Sequence, residues 1–157
     1  MNNKIEIDTY RQLLLSFADV QKNMACFIQK SAMENGLSVP QYSILMTIIC
    51  CHEMTQKNIG EKTFLPKSTL SQAVDGLVKE GYLDRRQVEC NRREILLSLS
   101  EKGQALVNRL YFQEDGLHQV FKAASEQLTE QQIEELIDSH QKISTYLTET
   151  KREVTTK

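Results

Sequence analysis

The sequence predicts a mainly α-helical chain with one small β-hairpin. Three observations lead there. Apolar residues recur at steps of three and four along most of the 157 residues, the signature of amphipathic helices. Tryptophan is absent and there are only two prolines, so little interrupts helix. One interval, Leu83 to Leu99, breaks the helical rhythm with two short strand-like runs.

The first helix is expected from about Asp8 to Asn35, with Tyr10, Leu13, Leu14, Phe17, Val20, Met24, Phe27 and Ile28 on its apolar side and Gly36 as its stop. Ser38-Val39-Pro40-Gln41 has the spacing of a capping box, with proline early in a second helix that runs to about Cys51. Thr55 can cap a short third helix around Gln56 to Thr63, anchored by Ile59. Pro66 suits the start of a fourth helix, where a missing N–H costs nothing. Its buried stripe is Leu70, Ala73, Val74, Leu77 and Val78, and Gly81 is its left-handed cap. Strands follow at Leu83–Val88 and Ile95–Leu99, with Asn91 as the turn residue between them. Ser100 then caps one long helix from Glu101 to about Ala124. Thr129 with Gln132 makes another capping box before a last helix carrying Ile133, Leu136, Ile137, Ile143 and Leu147.

Hydrophobic residues make up 40% and charged residues 25%, ordinary for a soluble globular protein. No repeat, low-complexity tract or linker is present, so residues 1–157 read as a single domain. The polar start MNNKIEIDTYRQ lacks a signal-peptide pattern, and the longest apolar run, Ile44 to Cys51, is too short to span a membrane. A cytoplasmic location without membrane contact is expected. Cys26, Cys50, Cys51 and Cys90 form no CxxC pair, and His52, His118 and His140 are dispersed, so no metal and no cofactor is expected. No Gly-rich phosphate loop, HExxH or nucleophile elbow occurs, and the chain reads as a non-enzyme.

The net charge is −2, yet it is unevenly distributed. Residues 55–100 hold eight basic and six acidic side chains, and only this block is net positive. Arg85, Arg86, Arg92 and Arg93 lie within nine residues of one another. Local clustering matters more to a phosphate backbone than total charge does. The fourth helix adds a second cue. Its outer face is short and polar, with Lys67, Ser68, Thr69, Ser71 and Gln72, where exposed helices usually carry long charged side chains. Two short helices joined by a tight turn and followed by a hairpin make a winged helix-turn-helix, spanning residues 38–100. A slim face of that kind fits the major groove of double-stranded DNA. Hydroxyls there can bond to phosphates or bases, Gln72 can reach an adenine edge, and Lys67 can pair with phosphate or guanine. The wing arginines suit phosphates or the adjacent minor groove.

In order and spacing these segments resemble the MarR family of bacterial winged helix-turn-helix transcription regulators, over nearly the whole chain. The carriers are Gln56-Lys57-Asn58-Ile59-Gly60-Glu61-Lys62, Lys67-Ser68-Thr69-Leu70-Ser71, and Leu77-Val78-Lys79-Glu80-Gly81-Tyr82-Leu83. The wing continues the likeness, from Arg85-Arg86 through Asn91-Arg92-Arg93-Glu94 to Ser98-Leu99-Ser100-Glu101-Lys102-Gly103, as does Pro40-Gln41-Tyr42. The sequence departs from the family pattern in four places. Asn91 stands for an aspartate that helps orient wing arginines, Phe64 for the helix-turn-helix glycine, and Gln72 for an arginine. The wing also lacks the usual prolines and carries Cys90 near its tip. Because a bulky residue at positive φ is disfavoured, Phe64 predicts an altered local turn.

The resemblance implies a homodimer on a pseudo-palindromic operator, through helices at residues 8–35 and 101–150, and a repressor released by a small lipophilic or phenolic effector. Those helices are too long and apolar to be covered by one small winged domain, which points the same way. Candidate interface residues are Tyr10, Leu14, Phe17, Leu136, Ile137, Ile143 and Leu147. Phe17, Met24, Phe27, Tyr42 and Met46 are candidates for the effector pocket. The reactive cysteine of the family's hydroperoxide sensors is absent, with Leu15 in its place. Two alternatives stand beside this reading: a winged-helix protein-interaction module without DNA binding, and a redox-responsive regulator acting through Cys26 or Cys90.

Overall fold

The computed structural model describes residues 2–155. The elements run α1 (Asn2–Glu34), α2 (Val39–Ile48), β1 (Glu53–Thr55), α3 (Gln56–Thr63), α4 (Lys67–Lys79), β2 (Leu83–Val88), β3 (Asn91–Leu99), α5 (Glu101–Phe112), α6 (Leu117–Ser125) and α7 (Glu130–Thr155). The chain divides into two compact units, one ending at Gln119 and the other beginning at Val120. No helix among the described residues is long and apolar enough to cross a membrane.

In the first unit local chemistry sets the helix ends. After α1, the Leu37 N–H reaches back to the Ala32 carbonyl and the Gly36 N–H to that of Met33, the paired bonds of a Schellman cap. The capping box at Ser38 is formed: its Oγ accepts from the Gln41 N–H at 3.3 Å, and Gln41 Oε1 accepts from the Ser38 N–H at 2.9 Å. α4 ends in a second Schellman cap, with Tyr82 N–H on the Leu77 carbonyl and Gly81 N–H on that of Val78. Gly81 holds φ +79°, a conformation that any Cβ would penalise.

The expected stripe of α4 is where the core lies. Leu70, Ala73, Val74 and Leu77 are buried, and Val78 packs against them. Ile44, Leu45 and Ile48 of α2, Ile59 of α3, Leu83 and Leu97 of the sheet, and Leu106, Val107 and Leu110 of α5 complete that core. Full burial of each such aliphatic side chain contributes about 1.5–3 kcal/mol.

The hairpin is part of a larger sheet than the sequence suggested. β1, unforeseen because it is three residues long, pairs antiparallel with β3 and gives the order β1-β3-β2. β2 has the expected bounds, but β3 begins at Asn91 rather than Ile95. Asn91 therefore pairs with Val88 across a register irregularity at Gln87/Val88, and the turn is Glu89-Cys90. The expected single helix from Glu101 to Ala124 is also corrected. It breaks after Phe112, where Gln113 turns to extended backbone and the Gly116 N–H bonds to the Gln113 carbonyl. Long-range ties favour the break. Lys30 donates to Asp115, Gln113 Nε2 donates to Glu34 at 2.7 Å, and Arg109 Nε donates to Asn35 at 3.1 Å. The hydrogen bond from Lys30 holds the Asp115 carboxyl below its usual range.

Phe64 does not alter the turn it occupies. It takes the left-handed conformation itself, at φ +55°, and its N–H bonds to the Gly60 carbonyl. That conformation costs a residue with a Cβ about 1–2 kcal/mol. The side chain is 83% exposed, so its bulk meets no steric bar.

In the second unit, α7 starts from the expected capping box, Thr129 Oγ1 accepting from the Gln132 N–H and Gln132 Oε1 from the Thr129 N–H. Lys142 and Asp138 form an i, i+4 pair along it.

The start of α5 abuts the end of α4. A Cβ at Gly103 would stand 2.0 Å from the Tyr82 carbonyl oxygen, a backbone atom that cannot move aside alone. Gly103→Ala is expected to cost about 1–3 kcal/mol of stability in urea denaturation, because the two helices must separate.

Candidate nucleic-acid interface

α3 and α4 are short, and each has its start set locally. Thr55 Oγ1 accepts from the Asn58 N–H at 3.2 Å and caps α3. α4 starts at Pro66, whose side chain offers no cap. Its first-turn N–H groups are left for another acceptor, and the helix dipole adds partial positive charge there. Lys67, Ser68 and Gln72 are exposed on α4, while Thr69 and Ser71 are half-buried. Gln56 Nε2 lies 3.5 Å from Ser71 Oγ, which links the first turn of α3 to the outer face of α4.

Strand alternation sorts the wing residues by face. Leu83 and Leu97 are buried, so the face they share with Arg85 and Ile95 looks towards the helices, and beyond the register irregularity Asn91 and Arg93 line the cleft there. Arg86 and Leu96 are opposite each other on the other face. A cleft of about 770 Å³ opens where α3, the start of α4 and β3 meet. Its walls include Lys57, Lys67 and Ser71 from the helices and Asn91, Arg93 and Ile95 from the wing. Three cations, Lys57, Lys67 and Arg93, face it against two carboxylates, Glu61 and Glu94.

The predicted contact residues thus divide. Lys67, Ser71 and Arg93 come together in the cleft, and Ser68, Gln72 and Arg92 stand exposed around it. Arg85 is ion-paired with Asp75 of α4, and Arg86 with Glu53 of β1 at 2.8 Å. Neither Arg92 nor Arg93 has a side-chain partner among the described residues. Asn91 Oδ1 accepts from the Arg93 N–H at 3.1 Å, so it steadies the backbone of the wing tip. Gln56 and Lys57 of the cleft were not singled out from sequence. For Lys57, its exposed position on α3 opposite Ile59 was the available signal, whereas Gln56 is half-buried.

The candidate effector residues lie elsewhere. Tyr42 is buried at 3% exposure, Met46 packs against the core, and Phe17, Met24 and Phe27 are half-buried along α1. The Tyr42 hydroxyl has no hydrogen-bond partner among the described residues, and burial pushes its pKa up. Of the candidate interface residues, Tyr10, Leu14, Leu136, Ile137 and Leu147 are 48–65% exposed in the single chain, whereas Phe17 and Ile143 are half-buried. All four cysteines are exposed, and among the described residues no His/Cys/Asp/Glu group is placed to hold a metal.

Two short helices, a groove-shaped outer face on the second, and a strand pair braced beside it define a winged helix-turn-helix protein. Residues 35–94 match the family model described as MarR family. The transcriptional repressor YetL of Bacillus subtilis is 27% identical over 96 residues, a match covering 60% of this chain and 58% of YetL. The chain spans little more than half the length of the curated relatives it matches. Among solved structures, AbsC, a MarR-family transcriptional regulator from Streptomyces coelicolor, shares the fold with a TM-score of 0.75 at 20% identity, over 90% of this chain and 95% of AbsC. Overoxidized AbfR bound to DNA shares it with a TM-score of 0.65 at 22% identity, over 93% of this chain and 99% of AbfR.

Because an orphaned buried hydroxyl costs more than an absent one, Tyr42→Phe is expected to leave stability unchanged or raise it by about 1 kcal/mol. Urea denaturation of the two proteins is the check.

Proposed function

We propose that this chain is a sequence-specific regulator of transcription that binds double-stranded DNA as a homodimer on a pseudo-palindromic operator. In this reading it is a repressor, released when a small lipophilic or phenolic effector binds. The observation that carries it is the cleft in which Lys67 and Ser71 of α4 meet Asn91 and Arg93 of the wing. One duplex offers a major groove to α4 and phosphates or a minor groove to the wing tip, so a single docking engages both. The names of its relatives, a repressor and a DNA-bound regulator fold, support the same reading. A second reading, redox control, is favoured by exposed Cys90 in the wing turn.

The decisive measurement is binding to a duplex of the promoter of its own operon, as a function of salt. Wild type is expected to bind with a steep salt dependence, and Ser71→Ala to weaken binding. Arg93→Ala is expected to weaken it and make the log–log salt slope shallower by roughly 1 for each phosphate it no longer neutralises. A wild type that ignores this promoter and all genomic duplexes would sink the proposal. A phenolic compound lowering the affinity would support effector release. Peroxide lowering it, with Cys90→Ser insensitive, would support the redox reading instead.

The dimer rests on the exposed apolar residues of α1 and α7. Sedimentation equilibrium is expected to give twice the 18.1 kDa chain mass. Combining Leu136→Asp with Leu147→Asp is expected to shift the population to monomer and to abolish operator binding.

A further inference from the structure

We propose that Arg85 and Arg86 are positioning residues that fix the wing, and that Arg92 and Arg93 alone among the four wing arginines touch the duplex. This rests on the DNA-binding reading above. Adjacent strand residues point to opposite faces of a sheet, so Arg85 and Arg86 meet different neighbours. Arg85 lies on the face of buried Leu83 and Leu97, and its guanidinium pairs with Asp75 of α4. Arg86 lies on the far face and reaches diagonally across β3 to Glu53 of β1. The two pairs thus tie β2 to the recognition helix on one side and to the outer strand on the other.

A phosphate approaching either arginine would meet a carboxylate already held against it. Asp75 gives this a second consequence. It lies one helical turn beyond Ser71, on the same side of α4. Arg85 neutralises a negative charge that would otherwise stand beside the contact face. At the wing tip the situation is reversed: Arg92 and Arg93 are exposed, without side-chain partners among the described residues, and Arg93 faces the cleft beside Lys67.

The test uses the full chain, the promoter duplex of its own operon, and equilibrium binding across a salt series. Arg92→Ala and Arg93→Ala are each expected to make the log–log slope shallower by roughly 1 per phosphate released. Arg85→Ala is expected to weaken binding about fivefold with the slope unchanged, and adding Asp75→Asn to restore affinity to within about twofold. Arg86→Ala with Glu53→Gln is expected to behave in the same way. Thermal melts of each variant confirm that the fold survives. If Arg85→Ala lowers the slope as Arg93→Ala does, and Asp75→Asn fails to rescue it, the inference is overturned while the regulator reading stands. If wild type binds no duplex, both fall together.

Discussion

The end of α4 is pinned at one joint, and the position of the wing depends on it. β2 leaves α4 through Gly81-Tyr82, and β3 returns to the same point at Ser100. The Ser100 N–H donates to the Tyr82 carbonyl at 3.1 Å, and its hydroxyl donates to the Gly81 carbonyl. The same hydroxyl oxygen accepts from the Gly103 N–H at 2.9 Å, so it caps α5 as well. Lys102 donates to the Glu80 carbonyl at 2.6 Å, satisfying the C-terminal end of α4, and its ammonium lies 4.5 Å from the Tyr82 ring centre. Gly103 allows the backbones to close up. Both strands of the wing are therefore fixed at their base relative to the helix they flank.

From that joint the wing reaches forward along α4. Two ion pairs steady it on either face, and β1 widens it to three strands. Exposed ion pairs of this kind are each worth about 0–1 kcal/mol, so their effect is on geometry more than on stability. The geometry brings the wing tip to the start of α4, where uncapped N–H groups, Lys57, Lys67 and Arg93 concentrate positive charge in a chain whose net charge is −2. The overall acidity and the local basicity are compatible because the acidic excess lies mainly after residue 100.

Much of the helix-turn-helix was legible in the sequence. Ser38, Thr55, Gly36 and Gly81 act on bonds within a few residues of themselves, and the stripe on α4 follows helical spacing. Phe64 was misjudged because local preference was set against a turn that the neighbouring helices hold in place. The helix break at Gln113 was missed because Leu106, Leu110, Leu117 and Phe121 keep helical spacing through it, while the ties to Lys30, Glu34 and Asn35 come from about eighty residues upstream.

By itself the sequence determined most of the helical segments, the caps at Gly36, Ser38, Thr55 and Gly81, and which side of α4 is buried. Those features rest on backbone bonds and periodicities only a few residues long. The tertiary structure alone decided that β1 joins the sheet, that Asn91 opens a strand, and which carboxylates Arg85 and Arg86 meet. Four arginines within nine residues look equivalent in sequence. Sheet pairing separates them, because alternation puts Arg85 and Arg86 on opposite faces and the neighbouring element on each face supplies a carboxylate.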